Sequence, residues 1–270
     1  MSRHRSLPRA RTRGSSPATT RKALSQNFLA DAGVARLIVR ASGVGADDLV
    51  LEAGPGDGML TRRLLEAGSR VRAYEKDPRY AALLSRRYAD DPRITLHHCD
   101  FRTVRPPREP FAVVADVPFG ATTDIVRWCL AARWLTSATL LTQLEFARKH
   151  SGDYGRWTKL TVGHWPTTAI ELGARVGRHS FDPVPQVDAA ILRLRNRSAP
   201  LLPRERIADY RRLVELGFSG VGGSVAASLR REFPARAVRR ACEAAGIPLD
   251  QPVGLVSPDR WSTLYRVLRA

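Results

Sequence analysis

A chain of 270 residues, 43% of them hydrophobic, can bury a sizeable core, while no apolar run approaches the ~20 residues of a membrane span; disordered and membrane-embedded classes are both excluded. The formal charge of +18 is gathered at the ends, with seven Arg or Lys and no carboxylate in residues 1–22 and 13 basic against 7 acidic residues in 196–270, a pattern that points to nucleic acid or, more blandly, to a solubilising surface. Cys99, Cys129 and Cys242 are odd in number and too far apart for metal-ligand pairs, which excludes a disulfide framework and points to reduced thiols in the cytoplasm.

The Arg- and Ser-rich residues 1–22 have almost no apolar face and read as a disordered basic tail rather than a transit peptide. Ser25-Gln26-Asn27-Phe28-Leu29 and Asp31 follow, leading into a helical pattern at Val34, Leu37, Ile38 and Ala41; polar residues in such a place are consistent with simple capping.

Leu49 to Ala53 is an apolar run that ends in Gly54, Gly56 and Gly58 and opens into Met59 to Leu65, which predicts a buried strand, a tight turn and a helix. Glycines there let the chain turn sharply and let a ligand approach where a Cβ would clash. A nucleotide-like cofactor fits such a turn, and a plain tight loop is the alternative. The dinucleotide fingerprint wants its third glycine at the sixth position, whereas Gly58 is the fifth counting from Gly54.

Arg70 to Glu75 reads as a second strand ending in a carboxylate, with Asp77-Pro78 starting a helix. Glu75 lies 21 residues beyond Gly54, near the ~20 at which an acidic residue meets ribose hydroxyls. Ile94 to Phe101 reads as a third strand with Asp100 near its end, suited to an adenine amino group. His97, His98 and Cys99 are strand neighbours that face alternate ways, so no metal is expected. A fourth strand, Phe111 to Ala115, runs into Asp116-Val117-Pro118-Phe119. An amino group methylated on a base must be flipped out and held. Phe119 offers a stacking face, and the Asp116 carboxylate with the Val117 carbonyl offers two acceptors.

Beyond residue 196, Pro200 and Pro203 mark a linker, and Ile207, Tyr210, Leu213 and Leu216 fall at i+3 steps between arginines. A small basic helical domain is expected over 197–270, with the glycines from Gly217 to Gly223 as a connector.

Ser25-Gln26-Asn27-Phe28-Leu29, Glu52-Ala53-Gly54-Pro55-Gly56-Asp57-Gly58, Tyr74-Glu75, Asp100-Phe101, Asp116-Val117-Pro118-Phe119 and Phe181-Asp182-Pro183-Val184-Pro185-Gln186-Val187-Asp188 together resemble the rRNA adenine N6-methyltransferases. Thr142 to Lys149 and Gly152 to Trp157 resemble the Erm branch, which methylates 23S rRNA and confers macrolide, lincosamide and streptogramin B resistance. The resemblance implies a Rossmann-like α/β domain over 23–196 that uses S-adenosyl-L-methionine, with the C-terminal helices as an RNA-binding accessory. It implies that Asn27, Leu29, Gly54, Gly56, Gly58, Glu75, Asp100 and Asp116 line the cofactor, and that Phe119 and Phe181 sandwich the adenine. It further implies a cytoplasmic monomer acting on 23S rRNA, with a 16S rRNA dimethyladenosine transferase or a non-catalytic RNA-binding protein as alternatives. The family usually carries Asn where this chain has Asp116, which leaves one methyl against two open.

Overall fold

The computed structural model describes residues 27–270; the basic tail, Ser25 and Gln26 lie outside the described residues. The chain runs β1 (Phe28–Leu29), α1 (Ala32–Ser42), β2 (Leu49–Ala53), α2 (Met59–Glu66), β3 (Arg70–Glu75), α3 (Pro78–Arg87), β4 (Ile94–His98), β5 (Phe111–Asp116), α4 (Thr122–Ala131), β6 (Leu135–Gln143), α5 (Leu144–Ser151) and α6 (Lys159–His164). It continues through β7 (Thr168–Val176), β8 (Phe181–Asp182), β9 (Ala189–Asn196), α7 (Ile207–Gly217), α8 (Val225–Leu229), α9 (Ala235–Ala244) and α10 (Pro258–Leu268).

Seven strands form one sheet in the order β4-β3-β2-β5-β6-β9-β7. The first five are parallel, and β9 is inserted antiparallel between β6 and β7. Helices cover both faces, so β2 is buried at every position and reads as an unbroken apolar run rather than an alternating one. Leu51, Val113, Leu140 and Leu192 fill the core on one face, and Ile38, Leu64, Val50 and Val114 fill it on the other. Each such side chain removed from water contributes ~2 kcal/mol.

Strand order reverses between β2 and β5, which leaves a crevice beyond their carboxyl ends. The glycine turn opens there, with φ of 70° at Gly54, 57° at Gly56 and 88° at Gly58. A Cβ on Gly56 would stand 2.8 Å from the Phe28 ring, and one on Gly58 would stand 2.7 Å from Leu84. These two glycines therefore serve close packing as well as the left-handed backbone.

The third strand ends at His98, short of the expected Phe101, because the Asp100 side chain accepts the Arg102 N–H and turns the chain into a single 3-10 turn. Strands β6, β7 and β9 and the short pair β1 and β8 were not foreseen in the sequence. The C-terminal helices build their own core around Trp261, Tyr210 and Leu264, and that core includes Val162 of α6, with Trp157 packed against it. Tyr210 Oη donates to the Val162 carbonyl at 3.0 Å, and Trp165 Nε1 donates to Asp259 at 2.9 Å. A boundary at 196/197 thus cuts through one packing unit.

Candidate active site

A cleft crosses the carboxyl ends of β2, β3 and β5. Its narrow end is walled by Asn27, Phe28, Gly56, Asp116 and Phe119, and its broad end, a cavity of about 560 Å³, is walled by Tyr74, Lys76, Cys99, Asp100, Phe101 and Ile125. Gly54, Glu75 and Pro118 line both ends and join them.

Glu75 closes β3 and is buried. Its Oε2 accepts the Gly56 N–H at 3.0 Å and its Oε1 accepts the Asp77 N–H at 2.7 Å, so one carboxylate ties the glycine turn to the start of α3. Each oxygen retains a further lone pair for a hydroxyl donor. Asp100 stands at the broad end in the grip of Arg102, with Nε to Oδ1 at 3.0 Å and Nη2 to Oδ2 at 2.7 Å. That guanidinium holds the Asp100 carboxyl well below the usual carboxylate range. The acceptor is thus ionised at any working pH.

Asp116 ends β5 on the narrow chamber. Burial pushes its carboxyl up to about 7, against the pull of a hydrogen bond from the Leu29 backbone N–H. Leu29 acts through that N–H, its side chain being buried in the core below. Phe119 begins the short turn after Pro118, half-buried, and lines the same chamber as Asp116. Gly58 lies off the cleft wall and acts as the left-handed cap of α2.

Phe181, which the resemblance puts against the adenine, lies in the core. It is 2% exposed, in the core with Leu29 and Ile38, and absent from the cleft wall. Its short strand β8 lies antiparallel to β1, with Phe181 opposite Leu29. The aromatic rings on the wall of the narrow end are those of Phe28 and Phe119.

Two participants were missed. Thr61 Oγ1 donates to Glu52 Oε2 at 2.7 Å, and Glu52 Oε1 has no partner among the described residues. Desolvation, with Glu75 and Asp116 nearby, pushes the Glu52 carboxyl up to about 8. Helical spacing places Thr61 in the first turn of α2, which was the available signal. Arg102 had none, since its partner Asp100 was assigned entirely to ligand. Among the described residues no group of three or more His, Cys, Asp or Glu could hold a metal ion.

The family model "Ribosomal RNA adenine dimethylase" matches residues 18–270. This chain belongs to that family. It is 50% identical over 252 residues to an rRNA adenine N-6-methyltransferase of Aeromicrobium erythreum, covering 92% of this chain and 73% of the relative. The mycinamicin-resistance protein MyrB of Micromonospora griseorubida is 40% identical over 254 residues, covering 92% of this chain and 79% of the relative. Among solved structures, the 23S rRNA methyltransferase ErmE superposes with a TM-score of 0.86 at 45% identity, covering 90% of this chain and all of that one. The doubly wound sheet with its C-terminal helices is the methyltransferase fold of this family, whose members depend on S-adenosylmethionine.

The residues present fit that cofactor. Glu75 and Asp100 supply carboxylate acceptors along the broad end, which Phe101 and Ile125 also line. Gly54 keeps the floor open where a side chain would otherwise project, and the narrow end carries the carboxyl groups of Glu75 and Asp116 with no lysine or arginine on its wall. A cationic ligand suits that balance.

Proposed function

We propose that this protein methylates the exocyclic N6 of one adenine of 23S rRNA and so confers resistance to macrolides, lincosamides and streptogramin B. The observation that carries the reading is the narrow chamber itself, where the Asp116 carboxylate and the Phe119 ring meet at the end of the cofactor cleft. The likeness to ErmE, and to a relative named for mycinamicin resistance, supports the choice of the large-subunit RNA.

S-adenosylmethionine bound in the cleft supplies an electrophilic methyl group on a positively charged sulfur. Gly54 and Glu75 would hold its central part and Asp100 its adenine, while Asn27 and Leu29 close the near side. Phe119 stacks the extruded target base, which returns roughly 1–3 kcal/mol against the few kcal/mol that flipping costs. Asp116 accepts an amino hydrogen and orients the nitrogen lone pair. As the nitrogen gains positive charge, that carboxylate stabilises it, and the proton can depart afterwards without a strong base. We further propose that the protein works as a cytoplasmic monomer.

The deciding experiment is expression in a macrolide-sensitive bacterium, with resistance measured and modified adenines mapped by primer extension on both ribosomal RNAs. We expect resistance and a single stop in 23S rRNA. A stop confined to 16S rRNA without resistance would assign the chain to ribosome biogenesis, and methylation of neither RNA despite tight binding would make it a non-catalytic RNA-binding protein.

A further inference from the structure

On the side of the sheet away from the cofactor cleft, the loop Pro106-Pro107-Arg108 before β5 and Arg133-Trp134 before β6 enclose a groove. It lies at the opposite end of β5 from Asp116, about 20 Å away along a six-residue strand. Trp134 is 42% exposed there. Its neighbour Trp128 is treated differently, with Nε1 donating to the Val104 carbonyl at 2.7 Å and its ring against Phe101 at 4.5 Å. The Trp134 backbone is nevertheless fixed, since its carbonyl accepts the Phe111 N–H at 3.2 Å. The opposite wall is stiffened by two consecutive prolines.

The charges are arranged as distinctly. The acid of this loop, Glu109, is taken by Arg72 at 2.8 Å and Arg70 at 3.9 Å. Arg108 and Arg133 have no carboxylate partner among the described residues, and the Arg133 guanidinium sits 5.5 Å from the centre of the Trp134 ring. An exposed indole on a hydrogen-bonded backbone, in one groove with two guanidiniums that lack a carboxylate partner, is the pairing that takes a base on its face and phosphates at its sides.

We propose that this groove is a second RNA contact, in which an unstacked base of a single-stranded segment stacks on Trp134 while Arg108 and Arg133 hold the adjoining phosphates. The proposal rests on the reading of the protein as acting on RNA and adds a site remote from the chemistry. A single indole offers at most ~250 Å², well short of the ~800 Å² per side of a stable protein interface, which favours a nucleic-acid strand over a protein partner.

The test uses the full chain with Trp134→Ala, Trp134→Phe and the double variant Arg108→Ala/Arg133→Ala. Binding of a single-stranded oligouridylate is followed by fluorescence anisotropy across a salt series, alongside cofactor affinity and methylation of a short hairpin and of a long 23S rRNA fragment. Trp134→Ala should weaken oligouridylate binding about tenfold, or about 1.4 kcal/mol, and Trp134→Phe should retain most of it. The double variant should lower the salt slope by about 1.4, at ~0.7 per phosphate contact on a single strand. Cofactor affinity and turnover of the short hairpin should not change, and KM for the long RNA should rise. Unchanged affinity and slope in both the Trp134→Ala and the double variant would overturn the proposal, as would a variant that altered only self-association. RNA binding lost in the variants of a wild-type protein that methylates nothing would support the groove and sink the enzymatic reading instead.

Discussion

Glu52 stands fully buried behind the glycine turn, with one oxygen on Thr61 and the other unpartnered, and its carboxyl is pushed up to about 8 by desolvation. The folded protein therefore keeps a proton that the unfolded chain releases near pH 4, so stability falls as pH rises and the loss is complete once pH passes the folded value. His150, lowered to about 4 by burial, and His164, also lowered by burial, act in the opposite sense, but their gain is complete once pH exceeds the ordinary histidine range. Between pH 7 and 8.5 Asp116, raised to about 7, acts in the same sense but is nearly spent, so we expect the wild type to lose about 1 kcal/mol or slightly more in urea unfolding and Glu52→Gln to lose clearly less. Parallel curves for the two proteins would show that Glu52 is ionised in the fold. Phe119→Ala should lower turnover on RNA by ten- to a hundredfold while leaving S-adenosylmethionine affinity within about twofold, because the stack is worth ~1–3 kcal/mol and the cofactor walls do not need that ring. Calorimetry beside single-turnover kinetics separates the two. The carboxylates of Glu75 and Asp116 were legible at the ends of their strands and Asp100 just beyond one, whereas the burial of Phe181 was not, since the motif does not carry the pairing of β8 with β1.

At the scale of elements, α7 meets α10 where Gly217 lies against Trp261, and a Cβ built on that glycine would fall 2.2 Å from the indole. Gly217→Ala should therefore cost about 1–3 kcal/mol of stability by overpacking, read as a lower urea midpoint with an unchanged slope, while cofactor affinity is kept. The sequence pattern placed Gly217 in a connector between helices; only the neighbouring helix makes it a packing residue. β2 and β5 lie where their apolar runs put them, since burial on both faces leaves a continuous local signal, and β3, which alternates Arg70 and Arg72 with buried Val71 and Ala73, lies where its alternation and terminal Glu75 put it. The pairing of β9 with β6 and β7 joins residues far apart in the chain, and the polar positions along β7 carry no such signal.

For the molecule as a whole, the helices from α7 to α10 are seated on α6 and Trp157, whose backbone N–H donates to the Gly254 carbonyl at 2.7 Å. Ending the chain at residue 196 would uncover Val162 and Trp157, and the fragment should aggregate or melt early in light-scattering and thermal scans; a monomeric fragment with unchanged cofactor affinity would show two independent domains instead. The net charge of +18 predicts RNA affinity that drops steeply with salt. Removing residues 1–22, which carry seven of the basic groups, should weaken binding and shallow that slope while sparing the chemical step. Equal binding at every salt concentration would leave the tail a solubiliser.

The sequence by itself determined the strands β2, β3, β4 and β5, the glycine turn, the carboxylates at or just beyond strand ends and the basic ends, because each is written in residues adjacent along the chain: apolar runs, closely spaced glycines, acids that follow a strand. Tertiary structure alone decided that Phe181 is core, that Thr61 and Arg102 hold the site's acids, that α6 belongs with the C-terminal helices, and that Arg108 and Trp134 face one groove. Those relations depend on which distant segments come into contact, and contact across tens of residues is settled by the packing of the whole chain.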